Sequence, residues 1–193
     1  MSAVDVYCGE PTGGSVLRVA EALGVFARAR VAVVNVSLVG PRNVLLERAV
    51  AAMVARGHVI VAAVGNDGPA ARPLYPAAYP GVVGVTAVDR DRRVLLEAGR
   101  GEAVDFAALG ADVDAAAMPE GSTRVRGTSF AAPVVAGLLA ARITEPFPTD
   151  AAQAVAELGT RAVDLGRKGR DPVYGHGLLE PAPLQSARVS PTR

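Results

Sequence analysis

Three runs of the sequence are almost free of polar residues and rich in β-branched side chains. They are Val31-Ala32-Val33-Val34-Asn35-Val36-Ser37-Leu38, Val59-Ile60-Val61-Ala62-Ala63-Val64 and Val82-Val83-Gly84-Val85-Thr86-Ala87-Val88. A strand with one wet face alternates apolar and polar residues; a strand covered on both faces reads as a continuous apolar run, as in a parallel sheet. Helical patterns fill the gaps between them. Ser15 can cap a helix running to about Ala29, with Val16, Ala20, Leu23 and Ala27 on one face. After the loop Val39 to Asn43, a second helix turns Leu45, Ala49, Ala52 and Met53 inward and ends at Gly57. With Ala3-Val4-Asp5-Val6-Tyr7 as a first short strand and Gly9 to Gly14 as a loop, the order is strand, helix, strand, helix, strand. That order implies right-handed βαβ crossovers and an α/β fold with a mainly parallel sheet. Further on, Glu102 to Leu109 reads as a shorter strand, Gly110 to Arg126 as a loop, and Thr149 as the cap of a last helix ending near Gly159. The simplest organisation is one domain over residues 1–185, followed by a polar, loose tail at 186–193.

Composition narrows the function classes. The chain has 193 residues, half of them hydrophobic, with only 4% aromatics and no Trp. A core of small aliphatic side chains suits helices packed closely on a sheet. Acids and bases are interspersed and the net charge is +1, so nothing in the balance asks for nucleic acid or an anionic membrane surface. Cys8 is the single cysteine, which rules out an intrachain disulfide or a thiolate metal cluster; it reads as a small buried hydrophobe. The N-terminus shows no basic stretch followed by an apolar run, hence no signal peptide on this chain. Phe130 to Ala141, the longest apolar run, is about 12 residues against the roughly 20 that span a bilayer.

In an open parallel sheet, ligands bind beyond the carboxyl ends of the strands. That rule points to Ser37 to Pro41, to Gly65-Asn66-Asp67-Gly68, and to whatever follows Val88. One more stretch has chemical content: Gly127-Thr128-Ser129-Phe130-Ala131-Ala132-Pro133 runs directly into the apolar segment Val134 to Ala141. A Gly-Thr-Ser turn opening a buried helix can hold a serine hydroxyl where free N–H groups favour developing negative charge. It can equally be an ordinary serine cap on a core helix. Taken alone, the stretch leaves both readings open.

The order of these motifs resembles the subtilisin-like serine proteases. The matching blocks are Val34 to Pro41, Val61 to Gly68, Tyr75-Pro76-Ala77-Ala78-Tyr79-Pro80 to Val85, Val104-Asp105-Phe106-Ala107-Ala108-Leu109-Gly110, and Gly127 to Gly137. The resemblance implies a three-layer αβα fold with a mainly parallel central sheet, lacking the family's N-terminal strands. It also implies peptide-bond hydrolysis of a polypeptide substrate, with Ser129 as nucleophile and Asn66 as the oxyanion-hole side chain beside the Ser129 N–H. An extended peptide would pair with Ser37, Leu38, Val39 and Gly40. Ala62, Ala63, Val64 and Gly65 would wall the pocket for the side chain before the scissile bond, and Thr128 is counted with the substrate-binding set. Two positions depart from the family pattern: Val39, where a small residue is usual, and Leu109, where proline is common.

A third departure concerns the chemistry. A serine of ordinary acidity needs a base, and in this family the base is a histidine oriented by an aspartate. The motifs that carry them, an Asp on an early strand and a His-Gly-Thr segment, are not in this sequence. His58 stands at the amino end of its strand, about 20 Å from Asn66 at roughly 3.3 Å per residue, and His176 falls in a glycine-rich turn. Each reads as an ordinary surface or turn histidine, and Asp5, Asp67 and Asp105 show no motif for orienting a base. Three explanations are open: a fragment of a longer subtilase, which is the preferred one, Asp and His arriving on a partner chain, or a noncatalytic pseudoprotease that binds peptides or partners. Loss of the early strands leaves one sheet edge and some apolar helix faces exposed. The resemblance further implies an extracellular or periplasmic setting. No cofactor is expected; structural calcium, frequent in the family, has no readable acidic spacing here.

Overall fold

Val59–Ala63 forms the strand around which the chain is layered, and all five of its residues are buried. The computed structural model describes residues 1–7, 14–117 and 120–181. Four parallel strands make the sheet, β1 (Val33–Val36), β2 (Val59–Ala63), β3 (Val83–Val88) and β4 (Phe106–Leu109), in the spatial order β1-β2-β3-β4. Register pairs Val34 with Ile60, Ala62 with Gly84, and Val85 with Phe106.

Side-chain alternation along β2 shows why the run is apolar throughout. Ile60, Ala62 and Val64 face a cluster containing Leu23, Leu46, Val50 and Met53 from two helices, α1 (Val16–Arg28) and α2 (Val44–Val54). Val59, Val61 and Ala63 face the opposite cluster, with Ala131, Val135 and Leu139 of α3 (Thr128–Ala140) and Leu158 of α4 (Pro148–Arg161). The architecture is therefore the three-layer α/β arrangement with a parallel sheet. Both helices before β2 begin on side-chain caps: Ser15 accepts the Leu17 N–H, and Asn43 Oδ1 accepts those of Leu45 and Leu46.

Several local expectations are corrected. Residues 3–7 form no strand. β1 is shorter than its apolar run and lies at an edge of the sheet, where among the described residues only β2 pairs with it. Val34 and Val36 are buried on one face, Val33 is partly buried on the other, and Asn35 is exposed. Helix α2 buries Leu46, Val50 and Met53, not Leu45 or Ala52; its apolar residues run round the helix, so two stripes fit the period equally well. The stretch taken as a loop before α3 contains a hairpin, β5 (Val113–Ala116) against β6 (Ser122–Val125). Helix α4 starts one residue earlier than Thr149, with Pro148 in the first turn and Phe147 at the cap position, and continues to Arg161. The loose tail and Cys8 lie outside the described residues.

Candidate active site

The site lies at the carboxyl end of the sheet, where β2 delivers Asn66 and the chain returns from β4 through the hairpin to the start of α3. Gly127 caps that helix with φ +136°, and Thr128 and Ser129 are its first two residues. Ser129 is thus inside the helix rather than its cap. Its N–H is among the first-turn donors that have no intrahelical acceptor. The Thr128 N–H donates to Asn66 Oδ1 at 3.0 Å, and a Cβ added to Gly127 would lie 3.2 Å from Asn66 Nδ2. Glycine here allows both the left-handed φ and the close approach of the Asn66 amide.

Gly65 prepares the other half. At φ +99° it turns the chain out of β2, and a Cβ on it would meet Leu74 Cδ1 at 2.5 Å. Its N–H donates to the buried Thr128 Oγ1 at 3.3 Å. Thr128, fully buried, is therefore a link between the β2 loop and α3. Because Oδ1 of Asn66 is committed to Thr128, the donor end of the amide is the end left to meet an incoming oxygen. Asn66 itself is exposed and Ser129 half-buried, so a ligand can reach both.

A further connection was not read from the sequence. Pro133 lies four residues after Ser129 and has no N–H, so the Ser129 carbonyl lacks its helical donor. The Ser37 hydroxyl supplies the missing bond, donating to the Ser129 carbonyl at 2.8 Å, and Asn35 Nδ2 donates to Ser37 Oγ at 3.0 Å. Hence Asn35-Ser37 ties the end of β1 to the first turn of α3. The signals were present as a lone Asn in an apolar run and a Ser-to-Pro spacing of four, but neither says where its partner is.

The remaining expected residues divide. Ser37 and Leu38 are half-buried and Val39 is 48% exposed. Val39 thus stands on an open edge and not in the core. Gly40 is committed elsewhere: it exchanges two 2.9 Å backbone bonds with Tyr75, which leaves Ser37 to Val39 as the open stretch. Ala62 and Ala63 are fully buried, one in each core cluster; as inner residues of a central strand they present no surface to a pocket. Val64 does, lining a cavity of about 440 Å³ with Leu74, Tyr75 and Gly99.

Neither histidine approaches this end of the sheet. His58 precedes β2, is only 3% exposed and lies with Nδ1 2.6 Å from the Val31 carbonyl, so it is a core histidine and not the surface residue expected. His176 is exposed and packs against the Phe106 ring at 5.6 Å, its N–H bonded to the Asp105 carbonyl at the amino end of β4. Asp105 itself accepts the Gly84 N–H and pairs with Arg170. One ion pair does border the site, Glu97 with Arg126. The hydrogen bond from Arg126 holds the Glu97 carboxyl below its ordinary range, and the same bond raises the guanidinium. Among the described residues, no group of three or more His, Cys, Asp or Glu is placed to hold a metal ion, and no helix is long and apolar enough to cross a membrane.

The family model described as the subtilase family, Peptidase S8, matches residues 1–177. The chain belongs to the subtilase family. It is similar to the minor extracellular protease Epr of Bacillus subtilis (strain 168), 33% identical over 153 residues that make up 78% of this chain and 24% of that protein. To subtilisin DY of Bacillus licheniformis it is 36% identical over 152 residues, 76% of this chain and 54% of the relative. This subtilase chain thus spans about half the length of one relative and about a quarter of the other. Among solved structures, the self-cleaved protease domain of PatA matches with a TM-score of 0.78 at 25% identity, covering 91% of this chain and 68% of that one. The PatG macrocyclase in complex with peptide, at 22% identity, shares the fold with a TM-score of 0.76 over 89% of this chain and 55% of its own. The subtilisin-like protease fold and family are thereby established for these residues.

Proposed function

We propose that this chain carries the serine and oxyanion half of a serine endopeptidase site acting on polypeptides, and that the histidine and aspartate come from outside residues 1–193, on a further segment or a partner chain. The observation that carries the reading is the bond from the Thr128 N–H to Asn66 Oδ1. It supports the reading by tying the Asn66 oxygen to the first turn of α3. That leaves the Asn66 amide donor near the helix N-terminus, where the Ser129 N–H is also without an intrahelical acceptor, and these are the two kinds of donor an oxyanion site uses.

In the complete site, Ser129 Oγ attacks the peptide carbonyl carbon while the histidine takes the hydroxyl proton. Asn66 Nδ2 and the Ser129 N–H hold the oxyanion. Collapse of the intermediate breaks the C–N bond, the amine leaves with that proton, and water hydrolyses the resulting ester on Ser129. The substrate lies along Ser37 to Val39 as an added strand, and Val64 walls the space for the side chain before the scissile bond. No cofactor enters this chemistry. An extracellular or periplasmic setting accompanies the reading, supported by the extracellular relative.

The isolated chain should label with a fluorophosphonate at Ser129 only near background. Supplying a segment that carries the family's Asp and His-Gly-Thr motifs, in trans or by fusion, should produce peptide hydrolysis that S129A abolishes. N66A should lower its turnover ~10²–10³-fold, a magnitude that itself comes from a subtilisin. Strong labelling of the isolated chain, or hydrolysis indifferent to S129A, overturns the proposal. Peptide binding with no hydrolysis in any complemented form would make the chain a noncatalytic binding module instead.

A further inference from the structure

The turn that presents Asn66 is held from both flanks by a single short stretch that follows β3. Glu97 accepts the Gly68 N–H on its carbonyl at 2.8 Å, and the Gly99 N–H donates to the Gly65 carbonyl at 3.0 Å. The same Glu97 extends its carboxylate to Arg126 in a forked pair, Nε to Oε1 at 2.6 Å and Nη2 to Oε2 at 3.2 Å. Arg126 directly precedes Gly127 and stands two residues before Thr128, whose N–H reaches back to Asn66. These links form a closed ring: Glu97 to the Asn66 turn through the backbone, Asn66 to Thr128, along the chain to Arg126, and back to Glu97.

We propose that Glu97 and Arg126 are positioning residues, a clamp that closes this ring and fixes the Asn66 amide against the first turn of α3. Without the clamp, the Asn66 to Thr128 contact depends on two loops from different strands, on the bond at an exposed asparagine and on the longer, 3.3 Å bond from Gly65 to Thr128 Oγ1. A ring of short links restricts how far either loop moves, and oxyanion donors act well only when their positions are set in advance. The side chains of Arg126 and Glu97 are 51% and 34% exposed, and pairs so open to solvent add little to global stability. The forked geometry, which lysine cannot reproduce, limits orientation as well as distance. What the clamp serves rests on the proposed reading of Asn66 and Ser129; that it holds the turn does not.

The test uses the full chain without substrate, so a failure of the complementation experiment leaves it intact. Amide hydrogen exchange is followed by NMR at Thr128 and, as an internal reference, at Val85 in β3, in E97Q, R126Q, R126K and E97Q/R126Q. Each single Gln variant should speed exchange at Thr128 about two- to fivefold while Val85 stays within about 1.3-fold, the size expected when a local opening loses one partly exposed charged pair. R126K should fall between wild type and R126Q, and the double variant should be no faster than the faster single. Thr128 unchanged in the single variants, a uniform rise that includes Val85, or multiplicative effects in the double variant would overturn the clamp.

Discussion

The Asp171 turn and the contact between Asn66 and α3 are made from the same parts, side-chain oxygens accepting backbone N–H groups, yet they lie at opposite ends of the sheet and differ in what is left over. At the amino end of β4, Asp171 is 6% exposed, and its two oxygens take three N–H groups, from Arg167, Val173 and Tyr174, at 2.7–2.9 Å. Both carboxylate oxygens are engaged locally. At the carboxyl end, Asn66 spends one oxygen on Thr128 and keeps its donor for an incoming group. A saturated polar knot fixes a fold, whereas a partly saturated one can bind.

The largest effect expected from breaking that contrast is at Asp171. D171A leaves three N–H groups without an acceptor in a buried turn and should cost about 3 kcal/mol in denaturant unfolding, while leaving the Asn66 end in place. Burial would raise the Asp171 carboxyl, but the N–H bonds of Tyr174, Val173 and Arg167 outweigh it and hold the group below its ordinary value. A carboxyl depressed in the folded state contributes stability that is present above its unfolded value, about 4, and lost as pH falls through the folded value. Unfolding measured between pH 6 and 2 should therefore steepen below about pH 4, and D171N should flatten the Asp171 share of that slope. An unchanged slope would remove Asp171 from the account.

A smaller effect tests whether the carboxyl end of the sheet is tied down by its own acceptors. S37A should cost about 1–2 kcal/mol, because the Ser129 carbonyl loses its one replacement donor. The same change made in the P133A background should cost less, since residue 133 then has an N–H for that carbonyl; equal costs in the two backgrounds would break the argument. The smallest effect is at Thr86, whose buried Oγ1 has no hydrogen-bond partner among the described residues. T86V should leave stability unchanged or raise it by up to about 1 kcal/mol, and a clear loss would reveal a partner at that hydroxyl.

Legibility in the sequence followed the physics of each element. β2 and β3 were readable because strands buried on both faces are almost free of polar residues, Thr86 being the exception in β3. The β5–β6 hairpin was not: its strands are largely exposed, with Asp114, Thr123 and Arg124 along them, and no Asn-Gly or Asp-Gly turn marks it. His58 looked like a turn residue because sequence alone does not show that the Val31 carbonyl comes to cover it. Ala62 and Ala63 were assigned to a pocket wall by the family resemblance; both are fully buried here, while Val64, 7% exposed, is the one of that stretch that lines a cavity.

By itself the sequence determined the layered α/β fold, the strands that carry it and the residue types at the site, because apolar period and glycine-bearing motifs are local properties. The tertiary structure alone decided which side chains meet: Asn66 with Thr128, Ser37 with the Ser129 carbonyl, Glu97 with Arg126. Those pairs are separated by tens of residues, and their contact depends on how four parallel strands bring their carboxyl ends together, which no local pattern encodes.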